Sequence, residues 1–171
     1  IGKLQVKQYE PSIALETMLL LNLHAAEYDI RARYDAPELG IIIAASIANW
    51  VVQHQQAVGL RTNGVDPEDG EDGGVLGVGI GRGGGHLMQL LDILAGVDVA
   101  TADKGSSLFL ELVRQQRGRL PWGTTLVLIT GNADESLFDE IFEARRNGQN
   151  PVIVLVGNVP GVIEAQEKAQ F

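Results

Sequence analysis

A short apolar run near the start of the chain restricts the folds that it can adopt. Met18-Leu19-Leu20-Leu21 carries no polar residue on either alternating face, which is typical of a strand covered on both sides of its sheet. Two similar runs follow at residues 125–130 and 151–156. Strands of this kind lie in sheets with a layer of helices on each face. The sequence therefore predicts an α/β fold with a mostly parallel sheet.

Helices are predicted between these strands because apolar residues recur there every three or four positions. The first helix has Asp35 as its cap, carries Trp50 on its apolar stripe and ends near residue 56. The others are predicted at residues 86–94, 106–117 and, after a cap at Asp134, up to residue 146. Helices and strands alternate, which favours a three-layer open sheet of Rossmann-like topology.

The middle of the chain predicts an antiparallel hairpin at one edge of this sheet. Residues 57–62 read as a short strand, and Asn63-Gly64 is a turn signal. An acidic, glycine-rich loop follows, and Val75, Val78 and Ile80 then favour a weak returning strand. A Pro-Trp-Gly turn further on contains Trp122, for which we expect a packing plug, the alternative being an exposed anchor.

Composition excludes several classes of function. The 171 residues are 45% hydrophobic, enough for one domain, and their net charge of −9 opposes binding to nucleic acid. The chain has no cysteine, which removes disulfides and zinc–thiolate sites and suits a reducing compartment. No uninterrupted apolar run reaches the roughly 20 residues of a membrane helix. We therefore expect neither a nucleic-acid partner nor direct membrane contact by this domain.

Five segments of the sequence carry a family resemblance: residues 2–11, 34–39, 56–60, 83–88 and 119–126. Taken in this order, they resemble the bacterial family called domain of unknown function fifty-eight. The resemblance implies a fold like that of von Willebrand factor type A domains and a partner that is a MoxR-type AAA+ ATPase. It also implies that residues 1–171 form one domain excised from a longer, membrane-anchored protein, on the cytoplasmic face of the inner membrane, with residues 1–12 leading in from a preceding region.

Type A domains, as the resemblance implies, hold Mg²⁺ at the carboxyl edge of the sheet. They use an Asp-x-Ser-x-Ser turn, a Thr from a second loop and an Asp after a central strand, and Mg²⁺ prefers such hard oxygen ligands. In this chain the matching positions are Asn22, His24 and Ala26 for the turn, Gly84-Gly85-His86 for the second loop and Thr130-Gly131-Asn132 after the strand. Because most of the oxygen ligands are replaced, we predict no functional Mg²⁺ site and no cofactor.

The same edge is instead predicted to be a docking surface for a protein. The residues assigned to it are Asn22, His24, Arg82, Gly84, Gly85, His86, Thr130 and Asn132. An alternative brings His24 and His86 together across the crevice as ligands of a transition metal, with Asn132 or Asp134 nearby, since imidazole suits Zn²⁺. Two histidines without a certain third ligand are more often hydrogen-bonding residues than a metal site.

A second function class remains open at the glycine run. Gly79-x-Gly81-x-x-Gly84 precedes a predicted helix and matches the dinucleotide fingerprint superficially. The fingerprint normally follows a strong buried strand, whereas this strand is weak and comes after an acidic loop. No serine lies in a nucleophile-elbow context. We therefore predict a non-enzymatic interaction domain, the alternative being a nucleotide- or small-ligand-binding α/β enzyme that uses residues 79–85.

Overall fold

The computed structural model describes residues 16–67, 75–101 and 107–157, so the predictions for residues 1–12 and for the acidic loop at 68–72 lie outside the described residues. The elements are, in chain order, β1 (Glu16–Leu21), α1 (Asp35–Gln53), β2 (Ala57–Thr62), β3 (Leu76–Gly81), α2 (Gly84–Gly96), α3 (Ser107–Arg117), β4 (Thr125–Thr130), α4 (Glu135–Arg146) and β5 (Asn150–Leu155). A 3₁₀ turn, Ala25–Glu27, follows β1.

The strands form one sheet in the order β3-β2-β1-β4-β5. β1 runs parallel to both β2 and β4, and β4 runs parallel to β5. β3 returns antiparallel to β2, as the predicted edge hairpin requires. Leu21 is in register with Thr62 on one side and with Ile129 on the other. The three central strands therefore end together, at what we call the carboxyl edge; the opposite side is the amino edge.

Alternate side chains of β1 fill two separate cores. Leu19 and Leu21 pack with buried residues of α1 and α2, whereas Met18 and Leu20 pack with buried residues of α3 and α4. Because successive side chains of a strand point to opposite faces, a strand that is apolar throughout must have a helix layer on each side. The predicted three-layer α/β fold is confirmed.

The small residues of α1 pack against the sheet. Ala36, Gly40, Ala44 and Ala48 recur every four positions and are all buried. A Cβ added to Gly40 would come within 3.1 Å of Leu21 Cδ1, so the helix lies close to the strands. The sequence predicts an apolar stripe that includes Trp50, whereas the residues buried against the sheet are mainly small, because close approach to the sheet selects small side chains.

Trp50 shows this correction most clearly. Its side chain is 55% exposed, and its ring lies 4.0 Å from the ring of His54, centroid to centroid. The expected core position is therefore wrong. The helix also starts differently, since Tyr34 is the N-cap, without a capping side-chain bond, and Asp35 lies in the first turn. It ends at Gln53, three residues before the predicted end.

Trp122 is also more exposed than predicted. Its side chain is 78% exposed, so the expected packing plug is wrong and the exposed alternative holds. The indole lies directly over Gly148, where an added Cβ would come within 1.8 Å of the ring atom Cδ1. Gly148 has a φ of 79°, a backbone conformation that glycine adopts easily. Trp122, in the turn before β4, thus packs against Gly148, in the turn before β5.

β5 and α2 differ from their predicted forms. β5 was expected to be buried on both faces, but Val152 is 47% exposed because β5 is an edge strand of the described sheet. α2 begins at Gly84, two residues earlier than predicted, and so includes part of the glycine run. At α4 the predicted cap is confirmed, since Asp134 accepts a hydrogen bond of 2.9 Å from the amide of Leu137.

By length and composition alone, α1 is apolar enough to cross a membrane, with a mean hydropathy of 1.3 over its best window. Core helices of globular domains pass the same test. Here the helix packs on β1 and β4 through Gly40, which lies next to side chains of Leu21 and Ile129. Within the fold, 33% of this stretch is buried.

We predict a clear contrast between two substitutions. Trp50→Ala should lower the free energy of unfolding by less than about 1 kcal/mol, because an exposed side chain leaves no cavity. Leu19→Ala should lower it by about 3 kcal/mol, because it opens a cavity beneath α1. Urea unfolding of both variants and the parent measures the difference. Equal losses would place Trp50 in the core after all.

Candidate functional site

Asn22 is the first residue beyond β1 and lies at the centre of the carboxyl edge. Its backbone amide continues the sheet by donating to the carbonyl of Ile129 over 2.8 Å, and the residue is fully buried. Its side-chain Oδ1 accepts from the backbone amide of His24 at 3.1 Å and from Nδ2 of Asn63 at 3.0 Å. Because a backbone amide can only donate, the bond from His24 fixes which side-chain atom is the oxygen.

The other end of the Asn22 amide reaches two further loops. Nδ2 donates to Oγ1 of Thr130 at 3.0 Å and to Oε2 of Glu27. Thr130 Oγ1 also accepts from the backbone amide of Asn132 at 3.2 Å. An asparagine side chain has two donor hydrogens and two acceptor positions. All four are used here, so Asn22 is saturated with hydrogen bonds.

Asn63 makes the corresponding link from the end of β2. Its Oδ1 accepts from the backbone amide of Leu23 at 2.7 Å, while its Nδ2 donates to Asn22. Thr62 Oγ1 accepts from the amide of Gly64 at 3.1 Å and shapes the same turn. The residues that follow β1, β2 and β4 are therefore joined in one network. We call Asn22, Asn63, Thr130 and Glu27 the asparagine network.

The 3₁₀ turn folds the chain back onto this network. Nδ1 of His24 accepts from the amide of Ala26 at 3.3 Å and caps the turn. The hydroxyl of Tyr28 donates to the carbonyl of Asn22. The Tyr28 ring lies against Gly131, where an added Cβ would come within 2.3 Å of ring carbon Cδ1. A side chain at residue 131 would displace the ring, so glycine lets the two loops meet.

Glu27 is the one carboxyl group in the asparagine network, and its environment favours the protonated form. Burial raises the pKa of Glu27 to about 7; the nearby carboxylate of Asp134 also raises it, and the hydrogen bond from Asn22 acts in the opposite direction. Oε1 of Glu27 is buried without a hydrogen-bond partner among the described residues. Burial, followed by the charge of Glu27, also raises the pKa of Tyr28.

This donor set does not fit Mg²⁺. The cation needs oxygen lone pairs, but Asn22 directs its amide hydrogens towards Glu27 and Thr130. Its own oxygen already accepts two hydrogen bonds. Within residues 16–67, 75–101 and 107–157, no three His, Cys, Asp or Glu side chains are grouped as metal ligands. The carboxyl edge is built from hydrogen bonds that a cation would have to displace.

The structure divides the residues that the sequence assigned to one site. Asn22, His24, Thr130 and Asn132 lie together at the carboxyl edge, as the positions after β1 and β4 predicted. The first three are buried, at 0 to 2% exposure, and only Asn132 is exposed. Their assignment to partner binding stays a prediction.

Arg82, Gly84, Gly85 and His86 lie at the amino edge. β3 ends with Gly81 in register with Val58, near the start of β2, and Nε2 of His86 is 2.7 Å from the carbonyl oxygen of Val58. Val58 is in turn paired with Thr17. Thr17 lies five residues before Asn22, a distance of roughly 16 Å along a strand. The expected meeting of His24 and His86 is wrong, because an antiparallel strand ends at the opposite edge.

A different loop occupies the place expected for Gly84-Gly85-His86. α2 runs from the amino edge to the carboxyl edge, and the residues after it pair with the site. The amide of Ala25 donates to the carbonyl of Ala100 at 3.0 Å, and the amide of Ala100 donates to the carbonyl of Leu23 at 2.9 Å. Asp98 forms an isolated bridge with Val65. The second loop at the carboxyl edge therefore spans residues 97–101.

The glycine turn differs from the dinucleotide fingerprint in its place in the sheet. A Cβ added at Gly79, Gly83, Gly84 or Gly85 would meet no atom within 4 Å. Gly81 differs, because a Cβ there would come within 2.5 Å of Nδ1 of His86. The fingerprint uses its glycines for close approach of backbone and ligand after a buried strand. Here the turn follows an antiparallel edge strand, and its one tight glycine accommodates a histidine ring.

A shallow groove of about 630 Å³ lies between α4 and β5. Trp122 and Phe142 contribute apolar surface, and Arg145 contributes a positive charge. Gln149 lines it too, and its Oε1 is buried without a partner among the described residues. The groove belongs to the amino side of the sheet and is separate from the asparagine network.

Sequence reasoning missed Glu27 and Asn63 as members of the site. Asn63 follows β2 in the same way that Asn22 follows β1, so the strand-end rule that identified one identifies the other. Glu27 lies one residue beyond the turn matched to Ala26, and only the 3₁₀ conformation brings its carboxyl group back to Asn22. The sequence around Glu27 has no periodic pattern that would predict this turn.

Comparison with known proteins gives likenesses of structure. No family model matches the chain, and no curated protein matches its sequence. The pilus adhesin SpaC from Lactobacillus rhamnosus GG, in its open conformation, is similar over 83% of this chain, with 12% identity and a TM-score of 0.52. Proximal thread matrix protein 1 from the mussel byssus is similar over 81%, with 12% identity and a TM-score of 0.51.

A von Willebrand factor type A protein from Catenulispora acidiphila is also similar, over 81% of this chain, with 9% identity and a TM-score of 0.47. The chain spans 24% of the adhesin, 37% of the thread protein and 32% of the type A protein. At these identities the likeness concerns the fold. The resemblance to domain of unknown function fifty-eight is not supported by a matching family model.

Asn63→Ala should destabilise the domain strongly. It leaves the Leu23 amide without its acceptor and Asn22 Oδ1 with one donor fewer, so we expect a loss of about 2–4 kcal/mol in the free energy of unfolding. Asn132→Ala, at an exposed position of the same edge, is the matched control, with a loss below about 1 kcal/mol. Chemical unfolding measures both. Similar losses would show that the asparagine network contributes little.

Glu27→Gln should change how stability depends on pH. The folded pKa of Glu27 is raised from 4.5 to about 7, so its contribution is fully present below pH 4.5 and is lost as the pH rises through about 7. Relative to the parent, the variant should gain on the order of 1–2 kcal/mol above pH 7, allowing for solvent screening. Melting temperatures from pH 5 to about pH 8 test this. Parallel curves for the two proteins would contradict it.

Proposed function

We propose that this chain is a non-enzymatic protein-interaction domain with a degenerate metal-ion-dependent adhesion site at the carboxyl edge of its sheet. The observation that carries the proposal is the asparagine network. In open α/β sheets this edge is where ligands bind, and here its centre is filled by saturated, buried side chains. Recognition then falls to the exposed rim, which includes Ala26, Asn132 and Asp134.

Three ionisable side chains among the described residues have structural partners. Glu140 is buried and accepts from Arg114 at 2.7 Å and from Arg117 at 3.1 Å, an arrangement that joins α4 to α3. His86 is engaged by a backbone carbonyl, and His24 caps the 3₁₀ turn. Groups held in this way are poorly placed for general acid–base catalysis, which needs a side chain within reach of a substrate proton.

The partner that we propose is a MoxR-type AAA+ ATPase, met on the cytoplasmic side of the inner membrane. This part of the proposal rests on the family resemblance of the five sequence segments. The structural likeness to an adhesin supports a binding role only through the shared fold. The chain's net charge of −9 favours a partner whose contact surface carries positive charge.

Two substitutions on the rim should weaken capture of the ATPase. Ala26→Arg and Asn132→Arg each add bulk and charge at exposed positions of the carboxyl edge, and we expect at least a tenfold loss of affinity, equivalent to about 1.4 kcal/mol. Binding of the purified domain to a purified MoxR-type AAA+ ATPase, followed by biolayer interferometry, measures this.

Two further variants of the same chain serve as controls for the binding measurement. Gln115→Arg adds the same charge at an exposed position of α3 and should bind normally. Arg82→Glu tests the amino edge. If Arg82→Glu alone abolished binding, the docking surface would lie at the glycine turn. A rise in melting temperature with ATP or NAD would favour the alternative, a nucleotide-binding enzyme that uses residues 79–85.

A further inference from the structure

The Asn22 amide joins oxygen atoms that belong to different loops. Its Nδ2 contacts Oε2 of Glu27 on the 3₁₀ turn and Oγ1 of Thr130 at the end of β4. A divalent cation gathers oxygens from separate loops in the same way, through positive charge rather than through N–H dipoles. We propose that the Asn22 amide bridges these loops in place of a cation. The loops at this edge are then held together by hydrogen bonds and do not depend on a metal ion.

The hydrogen bonds to Oδ1 of Asn22 fix the orientation of the side-chain amide. Oδ1 accepts from the His24 amide and from Asn63, so the two amide hydrogens must face Glu27 and Thr130. Asn22 is fully buried, and rotating it would strand polar groups without partners. The carbonyl oxygen that a cation would need is therefore on the side away from Glu27.

The surroundings explain what a single substitution would do. Glu27 has one carboxyl oxygen on the Asn22 amide and the other, Oε1, buried without a partner among the described residues. Asp134 is close enough to disfavour a charge on Glu27. Asn22→Asp replaces the two donor hydrogens, which contact Glu27 and Thr130, with a negative charge. Two carboxyl groups would then face each other, with the charge of Asp134 nearby, and a divalent cation stabilises facing carboxylates of this kind.

The test compares melting temperatures in EDTA and in millimolar Mg²⁺ or Mn²⁺, at a pH above 7. The parent protein should melt at the same temperature in all three. Asn22→Asp should melt several degrees lower in EDTA and recover with either metal. Asn63→Asp is the matched control, because it also places a carboxylate in the asparagine network but does not contact Glu27 or Thr130; it should melt lower without recovery.

A double variant keeps the test decisive if Asn22→Asp does not fold in EDTA. Adding Glu27→Gln to Asn22→Asp removes one of the two facing carboxyl groups, so the loss in EDTA should shrink and the recovery with metal should weaken. A parent protein stabilised by Mg²⁺ would overturn the proposal. So would equal responses of Asn22→Asp and Asn63→Asp to metal, or an Asn22→Asp variant as stable in EDTA as the parent. None of these outcomes depends on the ATPase, so the proposed function is judged separately.

Discussion

The hydrogen bonds of one buried asparagine side chain hold together the ends of the three central strands. Parallel strands that end in register leave their last backbone groups at one edge, and buried groups of this kind must find partners. Asn22 and Asn63 supply those partners to the loops after β1, β2 and β4. The 3₁₀ turn, Tyr28 and loop 97–101 are hydrogen-bonded to the same segment that follows β1.

The sheet and its layers were predictable because their signals are strong. β1 and β4 are apolar on both faces, which permits a helix layer on each side and little else. The cap at Asp134 was equally clear, since its side chain has one obvious amide to accept from. α1 was harder. Its period predicted a helix and placed Trp50 on the apolar stripe, whereas the distance between helix and sheet selected alanine and glycine for most of the buried positions.

The site was predictable where its residues lie at the ends of parallel strands. It was not predictable where an antiparallel strand or a tight turn reverses the chain. Asn22 and Thr130 follow parallel neighbours, so their meeting could be inferred from the order of strands. His86 was assigned to the wrong edge because an antiparallel strand carries the chain back across the sheet before α2 begins. Glu27 needed a three-residue turn whose conformation is set by His24 and by contacts with a distant loop.

The packing of α1 leaves several of its largest apolar side chains exposed. Leu39, Ile42 and Trp50 are 47 to 59% exposed, and no charged residue lies between Leu39 and Trp50. A surface of this kind favours contact between copies of the chain at short range, whereas a net charge of −9 makes the copies repel one another. Dissolved salt screens that repulsion. Contact between copies of the domain should therefore increase with the ionic strength of its surroundings.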